Sequence, residues 1–190
     1  MWIVDNMLEN YIQKYQLFDK QQCKDILTEH KNAPWERHVW NTNTDNSNSS
    51  KDYDPSILYM DQKWGFMTYK YLEEKLLDYF KTVSDGTMYT HTFSPPRFNK
   101  YNVEQKMDYH VDHIHSLFDG QRKGIPILSI ITLLNEDYEG GEFCFKLGDK
   151  EVEYEIKAGE CLVWPSLFMY PHYVKPVTKG ERQSFVVWAF

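Results

Sequence analysis

The sequence predicts an α+β fold: a barrel or jelly roll carrying helices on one side. Three observations support this. Helical spacing of apolar residues is confined to the first half of the chain, short β-rich runs separated by turns fill the second, and aromatic residues are abundant. The chain has 190 residues, 42% hydrophobic and 16% aromatic, which suits one globular domain with a sizeable core. The change of period puts helical support within residues 1–86 and the strand core at about 87–190.

Asp19 followed by Gln22 resembles a capping box and opens a helix over residues 20–31. A second helix is expected over 61–83, where Tyr69, Leu72, Leu76 and Tyr79 recur at helical spacing and Ser84-Asp85-Gly86 ends it. Between them, residues 41–56 (NTNTDNSNSSKDYDPS) carry almost no apolar side chain. Such a segment cannot order itself by burial, so it reads either as a surface loop or as a lid that orders over a substrate. Strand-like runs are expected at 96–101, 107–112, 125–134, 141–147, 152–156, 160–163, 172–176 and 183–190. Gly140-Gly141, Gly148-Asp149 and Lys179-Gly180 supply turns among them.

The net charge of −7, with no basic stripe, argues against nucleic acid as a partner. No apolar run of about 18 residues occurs, so no membrane span is expected. The opening residues MWIVDNMLENYIQKYQ lack the basic start and apolar stretch of a secretory leader. Cys23, Cys144 and Cys161 are odd in number, widely spaced and free of C-x-x-C, and read as reduced thiols of a cytosolic protein.

The informative segment is Tyr109-His110-Val111-Asp112-His113. Residues two apart in a strand point to one face, so His110 and Asp112 can aim an imidazole and a carboxylate at one point while Tyr109 and Val111 point away. His172 follows in a later strand-like run. Two histidines and one carboxylate form the facial triad of non-haem Fe(II), with positions left open for oxygen and a co-substrate. An H-x-D alone arises often by chance. The stretch after His172, HYVKPVTKGERQSFVVWAF, adds specificity. The Lys179-Gly180 turn is expected to fold the next strand back beside the one bearing His172. On that strand Arg182, Ser184, Val186 and Trp188 share a face. A guanidinium beside a hydroxyl can clamp a carboxylate, and an arginine buried in a barrel needs an anionic partner.

Together these residues resemble the Fe(II)- and 2-oxoglutarate-dependent dioxygenases, in their prolyl 4-hydroxylase-like branch. The resemblance runs over about residues 98–190, roughly half of the chain. It includes Tyr101, the triad, the Glu139-Gly140-Gly141-Glu142 and Ala158-Gly159-Glu160 turns, Trp164-Pro165-Ser166, and H-x-V-x-P-V-x-x-G-x-R with a tryptophan near the end. It implies a double-stranded β-helix, that is a jelly roll, supported by N-terminal helices. It further implies Fe(II) on His110, Asp112 and His172. Arg182 and Ser184 would hold the distal carboxylate of 2-oxoglutarate, Tyr101 would line that co-substrate's site, and Trp188 would stand in the pocket wall. The implied activity couples conversion of 2-oxoglutarate and O2 to succinate and CO2 with hydroxylation of an unactivated C–H, with ascorbate as a stimulant. The implied substrate is a prolyl residue of a protein or peptide.

Leu133 stands where many prolyl hydroxylases have a tyrosine, which shifts weight in the clamp to Arg182, Ser184 and Ser129. Pro126 stands where they tend to have a substrate-contacting arginine, with Arg122 the nearest substitute. His113 and His115 read as a polar loop, His30, His38 and His91 as ordinary histidines, and Lys179 as a weaker rival for the clamp. The alternatives are hydroxylation of a free amino acid or other small molecule, and a cupin-like metal-binding module without turnover. The second is disfavoured because a structural metal needs no carboxylate clamp. The setting expected is the cytoplasm of a bacterial cell or of a virus-infected host cell.

Overall fold

A computed structural model describes residues 7–41, 48–86, 92–112 and 126–190. After a single 3-10 turn (Glu9–Tyr11) come β1 (Gln13–Gln16) and α1 (Lys20–His30). Short strands β2 (Glu36–Arg37), β3 (Trp40–Asn41), β4 (Asn48–Ser49) and β5 (Ser56–Tyr59) lead to α2 (Gln62–Val83). Then follow β6 (Arg97–Tyr101), β7 (Met107–His110), β8 (Leu128–Leu133), β9 (Tyr138–Gly140), β10 (Phe143–Leu147) and β11 (Lys150–Tyr154). The chain closes with β12 (Glu160–Pro165), β13 (His172–Val174), β14 (Val177–Gly180) and β15 (Arg182–Ala189).

Both helices start as their sequences dictate. Asp19 accepts the Gln22 backbone N–H at 2.8 Å while the Gln22 side chain accepts the Asp19 N–H at 2.9 Å, the reciprocal capping box. Asp61 accepts the Trp64 N–H at 2.9 Å to open α2. Their apolar stripes, with Cys23 and Ile26 on α1 and Trp64, Leu72, Leu76 and Tyr79 on α2, cover one face of the large sheet. That sheet has seven strands in the order β1-β12-β8-β15-β6-β5-β2. A four-stranded sheet, β11-β10-β13-β7, packs against its other face, and Phe143, Phe145 and Val174 meet Ile131, Leu162 and Trp164 there. The central strand β8 shows why its sequence, LSIITL, is apolar throughout: it is buried at every position, with Ile130 toward the helices and Ile131 toward the second sheet. The two antiparallel sheets form the double-stranded β-helix. Among the described residues no helix is long and apolar enough to cross a membrane. Cys23, Cys144 and Cys161 are buried and free.

The strand runs of the second half fall where the sequence places them, within a few residues at their ends. Three differences bear on function. The first half is not helix alone: β1, β5 and β2 extend the large sheet, β1 along β12 and β5 along β6. Edge strands such as QKYQ carry no apolar alternation, because their stability comes from backbone pairing with distant partners. Residues 177–180 form β14, paired with β9, so the chain reverses after Gly180 rather than at Lys179-Gly180. Lastly, β15 does not lie beside β13. It runs between β8 and β6 in the opposite sheet, where Phe185 and Val187 join the core under the helices.

Candidate active site

His110 and His172 are direct partners in the β7–β13 register, and their ring centroids are 4.4 Å apart. Strand β7 ends at His110, so Asp112 reaches the imidazoles from irregular backbone rather than from a strand face. Its carboxylate oxygens lie 3.6 Å from His110 Nε2 and 3.8 Å from His172 Nε2, and the three ligand atoms lie within 4.8 Å of one another. Each imidazole is oriented from behind. Nδ1 of His110 donates to the Asp108 carbonyl at 2.7 Å, and Nδ1 of His172 donates to the Tyr170 carbonyl at 3.0 Å. Carbonyls only accept, so both Nε2 lone pairs are left bare and directed at the Asp112 carboxylate.

The electrostatics suit a cation. Burial pushes the pKa of His172 down to about 4, and His110 beside it acts the same way, against the opposing pull of Asp112. His172 is therefore neutral at pH 7, the form that binds a metal. Burial opposes ionisation of Asp112, but His172, His110 and hydrogen bonding from Ser129 and Trp188 outweigh it and hold its carboxyl below the ordinary carboxylate range. Asp112 Oδ2 is buried without a hydrogen-bond partner. A carboxylate with one orphaned oxygen beside His172 Nε2 and its other oxygen beside His110 Nε2 fits a divalent ion, and this donor set fits Fe(II). Phe143, Phe145 and Trp164 pack around His172, with ring centroids 5.4, 5.7 and 5.0 Å away, and keep its ring dry.

Arg182 is 1% exposed. Its Nη1 donates to Ser184 Oγ at 2.9 Å, and its guanidinium sits 5.3 Å from the ring centre of Tyr101, its partner across β6 and β15. Its Nε is buried without a partner, and among the described residues no carboxylate pairs with it. Gly141, at φ +66°, makes room: a Cβ there would lie 2.9 Å from Arg182 Cδ. The cavity over the triad is lined by Asn99, Tyr101, Val186 and Trp188. A second cavity of about 150 Å³ reaches Arg182 beside Leu133 and Gly141, and Phe143 borders both.

Ser129 stands away from Arg182: Ser184 pairs with Leu133, whereas Ser129 is four residues along β8, opposite Trp188 and Trp164. Its hydroxyl lies 2.6 Å from Ser166 Oγ and supports Asp112. Lys179 is exposed and pairs with Glu139 at 2.6 Å. Tyr109 is exposed, as strand parity requires. His30 is a core histidine, bonded to the Ile26 carbonyl at 2.8 Å and 3.2 Å from Asp61. His91, His113, His115 and Arg122 lie outside the described residues, as do residues 42–47 of the expected loop or lid. The described remainder of that segment is anchored at the site. Tyr53 and Lys51 bond Asp108, and buried Asp54 accepts the Trp40 indole N–H at 3.1 Å. Trp40 in turn packs edge-on to His110.

Three residues of the site escaped sequence reasoning. Arg97 and Asn99 share the inward face of β6 with Tyr101, and counting back by two from Tyr101 would have found them. No local signal marks His38, which is 6% exposed, packs edge-on to Trp40 and leaves both ring nitrogens without partners. Burial pushes the His38 pKa down to about 4, helped by Arg97 and His110 and opposed by Asp54. The unfolded chain takes up that proton near pH 6.5, so between pH 6.5 and 4 folding must expel it. Stability should therefore fall as pH drops through this window. His38→Phe should flatten that acid limb, as read by thermal unfolding from pH 7 to 4; an unchanged limb would assign it to other groups.

The profile of the 2OG-Fe(II) oxygenase superfamily matches residues 96–190. A PKHD-type hydroxylase of Alteromonas mediterranea is 37% identical over 111 residues, 56% of this chain and 47% of its own. A PKHD-type hydroxylase of Shewanella oneidensis is 36% identical over 98 residues, 50% of this chain and 42% of its own. The chain thus spans about half the length of the curated relatives it matches. Among solved structures, a prolyl hydroxylase of Trichoplax adhaerens in complex with a hypoxia inducible factor peptide fragment superposes with a TM-score of 0.70 at 16% identity, covering 99% of this chain and 87% of its own. A Pseudomonas putida prolyl-4-hydroxylase superposes with a TM-score of 0.67 at 18% identity, covering 98% of this chain and 96% of its own. At these identities the two structures speak for the fold.

Proposed function

The chain belongs to the 2OG-Fe(II) oxygenase superfamily, and from that membership we propose that it hydroxylates an unactivated C–H bond of a prolyl residue in a protein or peptide. Fe(II) is the cofactor of this reading, with 2-oxoglutarate and O2 as co-substrates. The observation that carries it is the pairing of a His110–Asp112–His172 cluster with a buried guanidinium that has no carboxylate of its own. Bound at the cluster, the metal with 2-oxoglutarate and O2 supplies the oxidising power that places oxygen on carbon while 2-oxoglutarate leaves as succinate and CO2.

The protein's share is binding, orientation and exclusion of water. His110 and His172 turn their Nε2 atoms toward the metal position because backbone carbonyls hold their Nδ1 side. Asp112 adds one negative charge and is kept ionised by its neighbours. Arg182 and Ser184 receive the distal carboxylate of 2-oxoglutarate, with Tyr101 as the wall above the guanidinium. Trp188 and Val186 form the side of the cavity from which a substrate chain reaches the metal. A peptide or protein substrate agrees with the Trichoplax prolyl hydroxylase, which is in complex with a peptide fragment. We place the protein in the cytoplasm, where three free thiols stay reduced.

The test is succinate formation from 2-oxoglutarate by the Fe(II)-loaded protein, followed by mass spectrometry of proline-containing peptides for the gain of one oxygen. No succinate in the presence of iron and peptides would sink the reading. Residues 42–47 offer a second test, because Trp40 before them packs edge-on to His110 and donates its indole N–H to Asp54 after them. Replacing 42–47 by a Gly-Ser link should lower peptide hydroxylation about tenfold or more while sparing uncoupled 2-oxoglutarate turnover, as for a lid. Equal effects on both activities would make the segment a passive loop.

A further inference from the structure

The cavity system holds a second guanidinium that the reaction does not use. Arg97, Asn99 and Tyr101 line the cavity from β6, and across the register Arg182 faces Tyr101 while Val186 faces Arg97. The two arginines thus stand at opposite ends of one strip of sheet, four residues or roughly 13 Å apart along the strands. Arg182 is the buried end. Arg97 lies over the ring of Trp188, 5.2 Å from its centre. The Arg97 Nε is buried without a hydrogen-bond partner, and among the described residues no carboxylate forms an ion pair with it. The ionisable groups near it are the Tyr59 and Tyr101 phenols, His38, and Asp112, which belongs to the metal-ligand cluster. The carboxylate of Asp54 is taken up by the Trp40 indole and the Lys51 backbone. Beside Arg97, Asn99 is 4% exposed and leaves its Oδ1 without a partner.

A half-buried cation whose Nε is buried and which has no counter-ion is costly to keep, and packing does not require it: a leucine or methionine would fill the same place over Trp188. Charge accounting in the loaded site sharpens the point. The two positive charges of Fe(II) and the one of Arg182 are cancelled by the two negative charges of 2-oxoglutarate and the one of Asp112. Arg97 is the surplus charge, at the end of the cavity away from the co-substrate clamp.

Resting on the oxygenase reading of this site, we propose that Arg97, with Asn99, recognises a carboxylate carried by the substrate close to the carbon that is hydroxylated. The guanidinium takes the carboxylate in a forked pair, and Asn99 Oδ1 accepts an N–H of the same unit. The carboxylate can belong to a free amino acid or to an acidic residue or chain end beside the target in a peptide. Arg97 is a specificity-determining residue in either case.

The experiment measures binding, so it does not depend on turnover. Wild-type protein and Arg97→Met, loaded with Fe(II) and 2-oxoglutarate under anaerobic conditions, are titrated calorimetrically with matched probes. One pair is L-proline and L-prolinamide; the other is a short peptide with Asp beside its single proline and the same peptide with Asn. The wild type should bind the carboxylate member of one pair at least about 30-fold more tightly than its amide, the loss typical of leaving one side of a buried charge pair unmet. In Arg97→Met that preference should collapse to about threefold or less, and the melting temperature should hold or rise, because the variant removes an unpaired, half-buried charge. Which pair discriminates identifies the source, free amino acid or peptide. If neither pair is discriminated by the wild type, or if Arg97→Met keeps the preference, the proposal is wrong. A variant that instead loses 2-oxoglutarate affinity with the ratio unchanged would also overturn it and make Arg97 a co-substrate residue. Failure of the oxygenase reading itself shows separately, as absence of succinate from the wild type in air.

Discussion

His110→Ala should abolish succinate formation in a protein that remains folded. The His110 side chain is 22% exposed at the end of β7, so its loss costs less packing than that of the buried His172. It removes one of the two imidazole nitrogens beside the Asp112 carboxylate. Changes to groups that merely orient metal ligands typically cost about 10- to 100-fold in metal affinity, so loss of a ligand itself should exceed that. His172→Ala would test the same point less cleanly. Its ring packs against Phe143, Phe145 and Trp164, and deleting it opens a hole in the core under the site. His172→Gln keeps most of the volume and is the better variant. Metal titration and succinate formation under matched iron check both. Wild-type turnover in either variant would refute the triad.

Arg182→Ala should raise the 2-oxoglutarate requirement by about 30-fold to several-thousand-fold, the equivalent of about 2–5 kcal/mol for one side of a desolvated charge pair, with Fe(II) binding nearly intact. The guanidinium is fully buried, hydrogen-bonded to Ser184 and without a protein carboxylate among the described residues, so solvent cannot substitute for the ligand's charge. Arg182→Lys should fall between, since lysine keeps the charge and loses the fork. Gly141→Ala should also weaken 2-oxoglutarate binding, about tenfold, because its Cβ would press on Arg182 Cδ. Lys179→Ala is the control: this exposed residue pairs with Glu139 and should change little. Anaerobic titration of the Fe(II) complex with 2-oxoglutarate decides. Loss of binding in Lys179→Ala with Arg182→Ala unaffected would move the clamp to β14.

What the sequence by itself determined was local. Asp19 with Gln22 opens α1, the apolar spacing of Leu72, Leu76 and Tyr79 makes α2, and His110, Asp112 and His172 form a metal set recognisable from residue type. Period-2 parity put Arg182 and Ser184 on one face, and the structure bonds them there. Parity says which way side chains of one strand point, because the pleat repeats every two residues. It does not say which strand lies alongside. That depends on backbone pairing between segments far apart in the chain, and only the tertiary structure decided it. It put β15 between β8 and β6 rather than beside β13. It therefore set Leu133, not Ser129, opposite Ser184, and left Ser129 to support Asp112. The same pairing put Arg97 over Trp188 and brought His38 and Asp54, from a stretch with no apolar pattern, to the rim of the triad. Their placement is a property of register and packing between distant segments, and no window of sequence contains both partners.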